Sequence, residues 1–411
     1  MKHAKTIALV DWNWQGHHPT YFNYFILALE ELGVDVLALC PNPEAAEKTA
    51  NETRPRSGSS LAKRGQTHFR KIKISDRRFG RLLPVPLVAI DWTIRHFAGI
   101  EKQVREWASV SGDKVDAIYY ACMYDRDFEW VSYAQPFLRF PWMGLYLHAM
   151  SFRAPGRRNP ATGRTPCPEK MFGGRLCRAI CILDEGIAEQ VSKTIGKPVV
   201  TFPDLTDERL PAHSSAMLLG GRLKRWADGR PIVGLFGHLQ RSKGILALLE
   251  AARMPGASEI CFALGGEIIW PVGPGEASQM QLTLAECPNI WNHLVRIPDG
   301  EQMNSLLAAC DIIYAAYLDF PHSSNIMTKA AFLKKPLIVS DGYLMAERVQ
   351  RFNMGEIVPQ SKAPELLEAI LKISKDPVVW VADNQPRWGD YCEEHSYGRL
   401  KASFDELLGS V

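Results

Sequence analysis

Short apolar runs alternate with segments of helical period along nearly the whole chain, and the alternation is played twice. It opens with TIALVDWNW, breaks into the polar stretch from Gln15 to Pro19, and continues as TYFNYFILALEELG, whose apolar residues recur at helical spacing up to Gly33. VDVLALCP follows as a second strand. Strands joined through helices cannot pair as hairpins, so this opening predicts a parallel sheet covered on both faces. DAIYYACM, WMGLYLHAM, AICILD and PVVTFPD extend the series, with LDEGIAEQVSKTIG as a helix between the last two.

The pattern lapses between about Pro203 and Pro231, where TDERLPAHSS and RWADGRP are polar and turn-rich, and then restarts. PIVGLFGH, EICFALGG, DIIYAAY and PLIVSD read as strands; GILALLEAARM, EQMNSLLAAC, NIMTKAAFLKK and PELLEAILKISKD read as helices. The expected organisation is an N-terminal Rossmann-like domain over 1–205, a connection over 206–230 and a C-terminal Rossmann-like domain over 231–385. A helical segment over 386–411 follows, free to pack back on the first domain. The fold class is α/β: two tandem doubly wound domains facing across a cleft, with the ligand expected where the carboxyl ends of the two sheets meet.

A length of 411 residues suits two domains. No apolar stretch approaches the roughly 20 residues of a membrane helix, and the opening MKHAKTIALVDWNW sets charge too close to its apolar run for a signal peptide. The nine cysteines are odd in number and lie in apolar contexts, which reads as reduced core thiols in a cytoplasmic protein. A net charge of +3 gives no reason to expect nucleic acid. It conceals a basic stretch, residues 51–81, where Arg54, Arg56, Lys63, Arg64, Arg70, Lys71, Lys73, Arg77, Arg78 and Arg81 face only Glu52 and Asp76. That stretch is either a solvated loop or a patch for anionic lipid headgroups or a phosphorylated acceptor. The amphipathic LLPVPLVAIDWTIRHFAGI comes next, able to lie on a membrane surface or to face the core.

The sharpest chemical signal is LFGHLQRSKGILALLEAA. A strand ends at Gly237, a polar loop carries Arg241 and Lys243, and Gly244 opens a helix. A diphosphate needs positive charge and free backbone amides with little bulk nearby, and a Lys beside a Gly at a helix start offers both. As a surface feature, the same pair is ordinary. Downstream, Ser323, Ser324 and Asn325 precede an apolar helical stretch, as helix caps or as amides aimed at a phosphate.

As an ordered set, these pieces resemble the nucleotide-sugar half of GT-B retaining glycosyltransferases of the group 1 (family 4) type. The set comprises FGH…KG, Asp311, the loop Ser323 to Asn325, Lys335-Pro336, Ser340-Asp341-Gly342, Glu347 and Gly355. The resemblance covers roughly residues 231 to 360. It implies a GT-B fold and transfer of a sugar from a nucleotide-diphosphate donor to a glycan, lipid-linked or small-molecule acceptor, with retention and without a metal or cofactor. It implies donor binding through Gly237, His238, Arg241, Lys243, Gly244, Ser323, Ser324, Asn325 and Lys329. The sequence departs from the family where two glutamates eight positions apart are usual: Pro321 and Lys329 stand there. The arginine usual after the strand glycine is His238, leaving Arg241 to replace it and Lys329 to meet a donor phosphate.

In the first half, Gly16, His17 and His18 occupy the place of the family's glycine-rich loop, with Thr20 a start for the next helix. Gly there permits close backbone approach to a sugar. Trp12, Trp14, Tyr21 and Phe22 either stack on sugars or fill core. His148 ends an apolar strand and matches the family histidine facing the donor sugar. Tyr124, Asp125, Arg126 and Asp127 follow the strand YYACM on the same expected edge, and Asp125 or Asp127 offers a base for an acceptor hydroxyl in an inverting reaction. No Walker loop, nucleophilic serine or metal triad is visible. Two other readings stand beside transfer: an epimerase or phosphorylase on the same fold, and a degenerate relative that only binds nucleotide sugars.

Overall fold

The structure is a computed structural model describing residues 5–54, 64–75, 85–156, 158, 165–210, 217–269 and 274–409. The chain forms two compact units: Met1–Pro203 with Ser396–Val411, and Asp204–His395.

The first unit holds a seven-stranded sheet. Its strands are β1 (Thr6–Val10), β2 (Asp35–Cys40), β3 (Thr67–Lys71), β4 (Ala117–Met123), β5 (Trp142–Tyr146), β6 (Cys177–Ile182) and β7 (Val199–Thr201), in the spatial order β3-β2-β1-β4-β5-β6-β7. All neighbours run parallel, with Leu9 of β1 opposite Ala38 on one side and Tyr119 on the other. Strands covered on both faces must be apolar throughout, and β1, β4 and β5 are buried along their whole length. The helix Val85–Ser111 turns Phe97, Ile100 and Val104 into this core, so the amphipathic stretch is mainly core-facing. The helix Tyr397–Gly409 belongs to the same unit: Phe404 packs on Phe25 and Phe202, and the Ser403 hydroxyl donates to the Thr201 carbonyl at 2.9 Å.

Two expectations for this half are corrected by the structure. The basic stretch is not one loop, because Thr67–Lys71 is an edge strand pairing with β2. Arg54 is paired with buried Glu30 and Arg64 with Glu31, which fixes two of its cations to structure. Arg56, Lys63, Arg77, Arg78 and Arg81 lie outside the described residues. The first helix begins at His18, two residues before Thr20, with Pro19 in its first turn; proline's fixed φ suits that place.

The second unit holds β8 (Ile232–Phe236), β9 (Cys261–Gly265), β10 (Ile290–His293), β11 (Ile312–Ala315), β12 (Leu337–Ser340) and β13 (Gly355–Val358), all parallel, in the order β10-β9-β8-β11-β12-β13. Much of the stretch 206–230 is part of this unit rather than a linker. The helix Met217–Ala227 packs on the helix Glu301–Ala309, closely enough that a Cβ on Gly220 would lie 2.5 Å from the Ser305 carbonyl oxygen. The segment 386–411 is shared between the units: the helix Trp388–Glu394 packs on the helix Ile326–Phe332, and Tyr397–Gly409 on the first unit.

Candidate functional site

In an open parallel sheet, the helices leaving two adjacent strands go to opposite faces at one point, and a crevice opens beyond the carboxyl ends of those strands. The strand orders place that point between β1 and β4 in the first unit and between β8 and β11 in the second.

In the second unit, the loop leaving β8 is held by glycines. Gly237 has φ +104°, and its N–H donates to the Gly265 carbonyl at 2.9 Å. A Cβ on Gly266 would sit 1.8 Å from the Gly237 oxygen, so only glycine lets the two strand ends cross there. A short turn, Arg241–Lys243, leads to Gly244 at φ +70°, where the helix Ile245–Ala252 begins. The loop docks on the one leaving β11: the Leu318 N–H donates to the Ser242 carbonyl at 2.7 Å, and the Tyr314 hydroxyl to the Gly244 carbonyl at 2.8 Å. A Cβ on Gly244 would meet that hydroxyl at 2.4 Å. Lys243 Nζ donates to the Tyr317 hydroxyl at 3.2 Å and lies 4.6 Å from the ring centroid. Gly237, His238, Arg241, Lys243 and Gly244 are therefore gathered on one loop, with the Arg241 and His238 side chains exposed and Lys243 half-buried. Two cations beside a glycine-framed helix start have the chemistry of an anion site.

The rest of the expected donor set divides. Lys329 is 3% exposed, and its ammonium donates to Asp299 at 2.9 Å, to Asn304 Oδ1 at 2.8 Å and to the Asp207 carbonyl at 3.2 Å. Three acceptors use its three hydrogens, so Lys329 is an internal tie and not a phosphate ligand. Ser323 is committed as well, since its hydroxyl donates to Asp204 and accepts from buried Arg348 at 2.5 Å. Ser324 and Asn325 are half-buried ahead of Ile326–Phe332; the Asn325 side chain makes no cap hydrogen bond.

In the first unit, His18 and Tyr124, both expected at the strand ends, form a connected set at the β1–β4 crevice with Asp11, which the sequence did not single out. Asp11 follows β1, His18 opens the first helix, and Tyr124 follows β4. The Asn13 N–H donates to Asp11 Oδ1 at 2.9 Å, and Asp11 Oδ2 lies 2.8 Å from His18 Nδ1. A carboxylate oxygen at that distance fixes the ring proton on Nδ1 and leaves the Nε2 lone pair facing outward. Nε2 lies 2.8 Å from the Tyr124 hydroxyl and 3.2 Å from Asn13 Nδ2. Asp11 and His18 are each 3% exposed, whereas Tyr124 is half-buried. Burial pushes the Asp11 carboxyl up, and the hydrogen bond and charge of His18 pull it back. Asp11, His18 and Cys122 also bring potential metal-ligand atoms within 4.8 Å of one another. Burial pushes the Cys122 thiol well above its ordinary range.

His148, after β5, joins this set with its ring edge-on to Tyr124 at 5.3 Å. His17, favoured from sequence, is displaced in importance by His18: it stacks on the outer side of the pair at 5.4 Å and meets Tyr21 edge-on. Gly16 is exposed at φ +60° with open space where a Cβ would stand, so glycine serves the turn there rather than a close approach. Asp125 is 5% exposed, accepts from the Tyr146 hydroxyl at 2.5 Å, and is pushed up to about 6 by burial against that bond. Tyr21 and Phe22 are buried; Trp12 packs on Phe128 and Trp14 on Phe22.

No protein-family model matches the chain, and no curated protein matches it. Solved structures do. HepE from Anabaena, in complex with UDP-glucose, aligns over 100% of both chains at 14% identity with a TM-score of 0.65. Sucrose-phosphate synthase from Thermosynechococcus elongatus aligns over 98% of both at 17% identity and a TM-score of 0.66. The UDP-forming α,α-trehalose-phosphate synthase from Burkholderia vietnamiensis covers 99% of this chain and 98% of its own at 11% identity and a TM-score of 0.67. With two parallel α/β units and likeness across the full length to these structures, the chain has the GT-B fold of glycosyltransferases.

Proposed function

We propose that this protein is a glycosyltransferase that moves a sugar from a nucleoside-diphosphate sugar to the hydroxyl of a glycan or lipid-linked acceptor, without a metal or cofactor. The observation that carries the reading is the loop 237–244 at the β8–β11 switch point, where Arg241 and Lys243 stand beside the glycine-framed start of Ile245–Ala252. Cations and helix amides fixed beside the leaving diphosphate stabilise the charge it gains as the glycosidic bond breaks, which is the term a metal supplies in other enzymes. HepE was solved with UDP-glucose and the trehalose-phosphate synthase is UDP-forming, so UDP-hexoses are the first donors to try. His148 is the group assigned to the donor sugar, and Ser324 and Asn325 remain candidate donor contacts.

Lys243→Ala is expected to weaken binding of the nucleoside diphosphate by about 1–3 kcal/mol, the loss of a charge-assisted hydrogen bond. Calorimetric titration of UDP and UDP-glucose checks this, and equal affinity for both proteins removes the loop from the account. Binding without turnover is the second reading, favoured by Pro321 at one glutamate position and by the internal engagement of Lys329 at the other. It is separated from transfer by whether UDP-glucose is consumed.

The acceptor side is assigned to the first unit, and the protein to the cytoplasm at the inner face of a membrane. Among the described residues no helix is long and apolar enough to cross a membrane. Arg70 and Lys71 lie exposed on the edge strand β3, with Lys73 just beyond it and Ile74 51% exposed, a combination suited to anionic headgroups. Sedimentation with phosphatidylserine vesicles is expected at low ionic strength and to fall away as salt screens the charges; no sedimentation at low salt withdraws the membrane assignment.

A further inference from the structure

We infer that Tyr317 is a positioning residue for the donor diphosphate: it fixes the Lys243 ammonium within the loop 237–244, so that the diphosphate meets a cation already in place. This rests on the donor-binding reading above and names the residue that sets where its cation stands. Tyr317 follows β11 and is 3% exposed, and its ring is held edge-on by Phe320 at 5.2 Å. The Lys243 ammonium lies 4.6 Å from the centroid of the Tyr317 ring and donates to its hydroxyl at 3.2 Å. It also stands beside the glycine turn that ends β8, since a Cβ on Gly237 would lie 3.9 Å from Nζ.

What holds this ammonium is uncharged. A carboxylate would grip a lysine more tightly, but it would cancel the charge and compete with phosphate oxygens for it, as Asp299 does at Lys329. A phenol oxygen and an aromatic face attract the cation and leave its full charge to a ligand. Among the described residues no carboxylate pairs with Lys243, and the bond to Tyr317 uses one of its three ammonium hydrogens, leaving two for diphosphate oxygens. A lysine stem is long and flexible, and the freedom it loses on gripping a ligand weakens binding. A stem fixed in advance loses less, which tightens binding without adding a contact. The two loops do not need this bond to dock. Leu318 N–H on the Ser242 carbonyl and the Tyr314 hydroxyl on the Gly244 carbonyl already join them.

The test titrates the full chain with UDP, GDP, ADP and TDP by calorimetry and follows the tightest binder through the variants. Tyr317→Leu, which removes ring and hydroxyl, is expected to weaken that diphosphate about tenfold, and Tyr317→Phe, which keeps the aromatic face, about threefold. The Lys243→Ala background separates positioning from mere support of the loop. With the ammonium gone, Tyr317→Leu should change affinity by less than about twofold, because residues acting through one another are not additive. Tyr317→Phe repeats the comparison should Tyr317→Leu fail to fold. Tyr317 variants that bind like the parent overturn the assignment, as does a loss of the same size in the Lys243→Ala background. If the unaltered chain binds none of the four diphosphates, or Lys243→Ala binds as tightly as the parent, the donor-loop reading itself fails and takes the role of Tyr317 with it. If Lys243→Ala is weakened and the Tyr317 variants are not, only the positioning role fails.

Discussion

Lys329→Ala is expected to destabilise the second unit by about 3 kcal/mol, the lower end of the range for removing one partner of a buried ion pair. The ammonium is 3% exposed and is the shared partner of Asp299, Asn304 and the Asp207 carbonyl. Its removal leaves Asn304 Oδ1 without its lysine donor and takes one of two donors from the Asp207 carbonyl, while Asp299, 30% exposed, recovers part of its loss from water. The tie is also topological. Asn304 Nδ2 donates to the carbonyls of Asp207 and Arg209, so one cluster fastens the segment after Asp204 to the helices Glu301–Ala309 and Ile326–Phe332. Equilibrium urea unfolding measures the loss. Where the variant remains folded, its UDP affinity should equal the parent's. A stable variant with weakened UDP binding would return Lys329 to the donor site.

The second large effect is on pH dependence. Burial raises the Asp125 carboxyl from 3.8 to about 6, opposed by the Tyr146 hydroxyl and helped by the charge of Glu129. Between those values the folded chain holds a proton that the unfolded chain has released, so stability falls as pH rises from about 4 to about 6 and stays reduced above it. At about 1.4 kcal/mol for each pH unit separating the two values, the change amounts to about 3 kcal/mol. Asp125→Asn keeps an acceptor for Tyr146 and cannot ionise. Its loss of stability between pH 4 and pH 7 should therefore be smaller than the parent's by about that amount. Urea midpoints at the two pH values decide it: equal changes in both proteins would show that Asp125 is not held as described. The same geometry bears on the chemistry, since a carboxyl that is 5% exposed and bonded to Tyr146 is poorly placed to reach an acceptor.

The parallel architecture was legible because its strands are buried on both faces and read as unbroken apolar runs: IALV, VLALC, IYYACM and IVGLF are each a strand in the structure. Thr67–Lys71 escaped because an edge strand needs only one partner and tolerates charge, so THFRK carries no apolar run. Gly355–Val358 escaped for the same reason at the edge of the second sheet.

The grouping of Gly237, Arg241, Lys243 and Gly244 on one loop was legible because these residues are near one another in sequence. Tyr317, which holds Lys243, was not, since 74 residues separate the two. The contact of His18 with Tyr124 was hidden in the same way: 106 residues lie between them, and only the adjacency of β1 and β4 brings them together. The choice between His17 and His18 depended on where the helix begins. Starting it at His18 turns that ring inward and leaves its neighbour outside. A sequence signal existed in the strand-end residues Asp11 and Tyr124, both polar groups directly following buried strands that flank the crevice. Lys329 was misread because an alignment position says nothing about the carboxylate waiting 30 residues upstream at Asp299.

The most direct test of the account is a proton NMR time course of the unaltered protein with UDP-, GDP-, ADP- and TDP-linked hexoses, recording the diphosphate and the hexose formed. The account predicts that one donor is consumed, with the nucleoside diphosphate and the transferred or released hexose formed in equal amounts. Persistence of all four donors with folded protein and a panel of glycan and lipid-linked hydroxyl acceptors present would contradict glycosyl transfer.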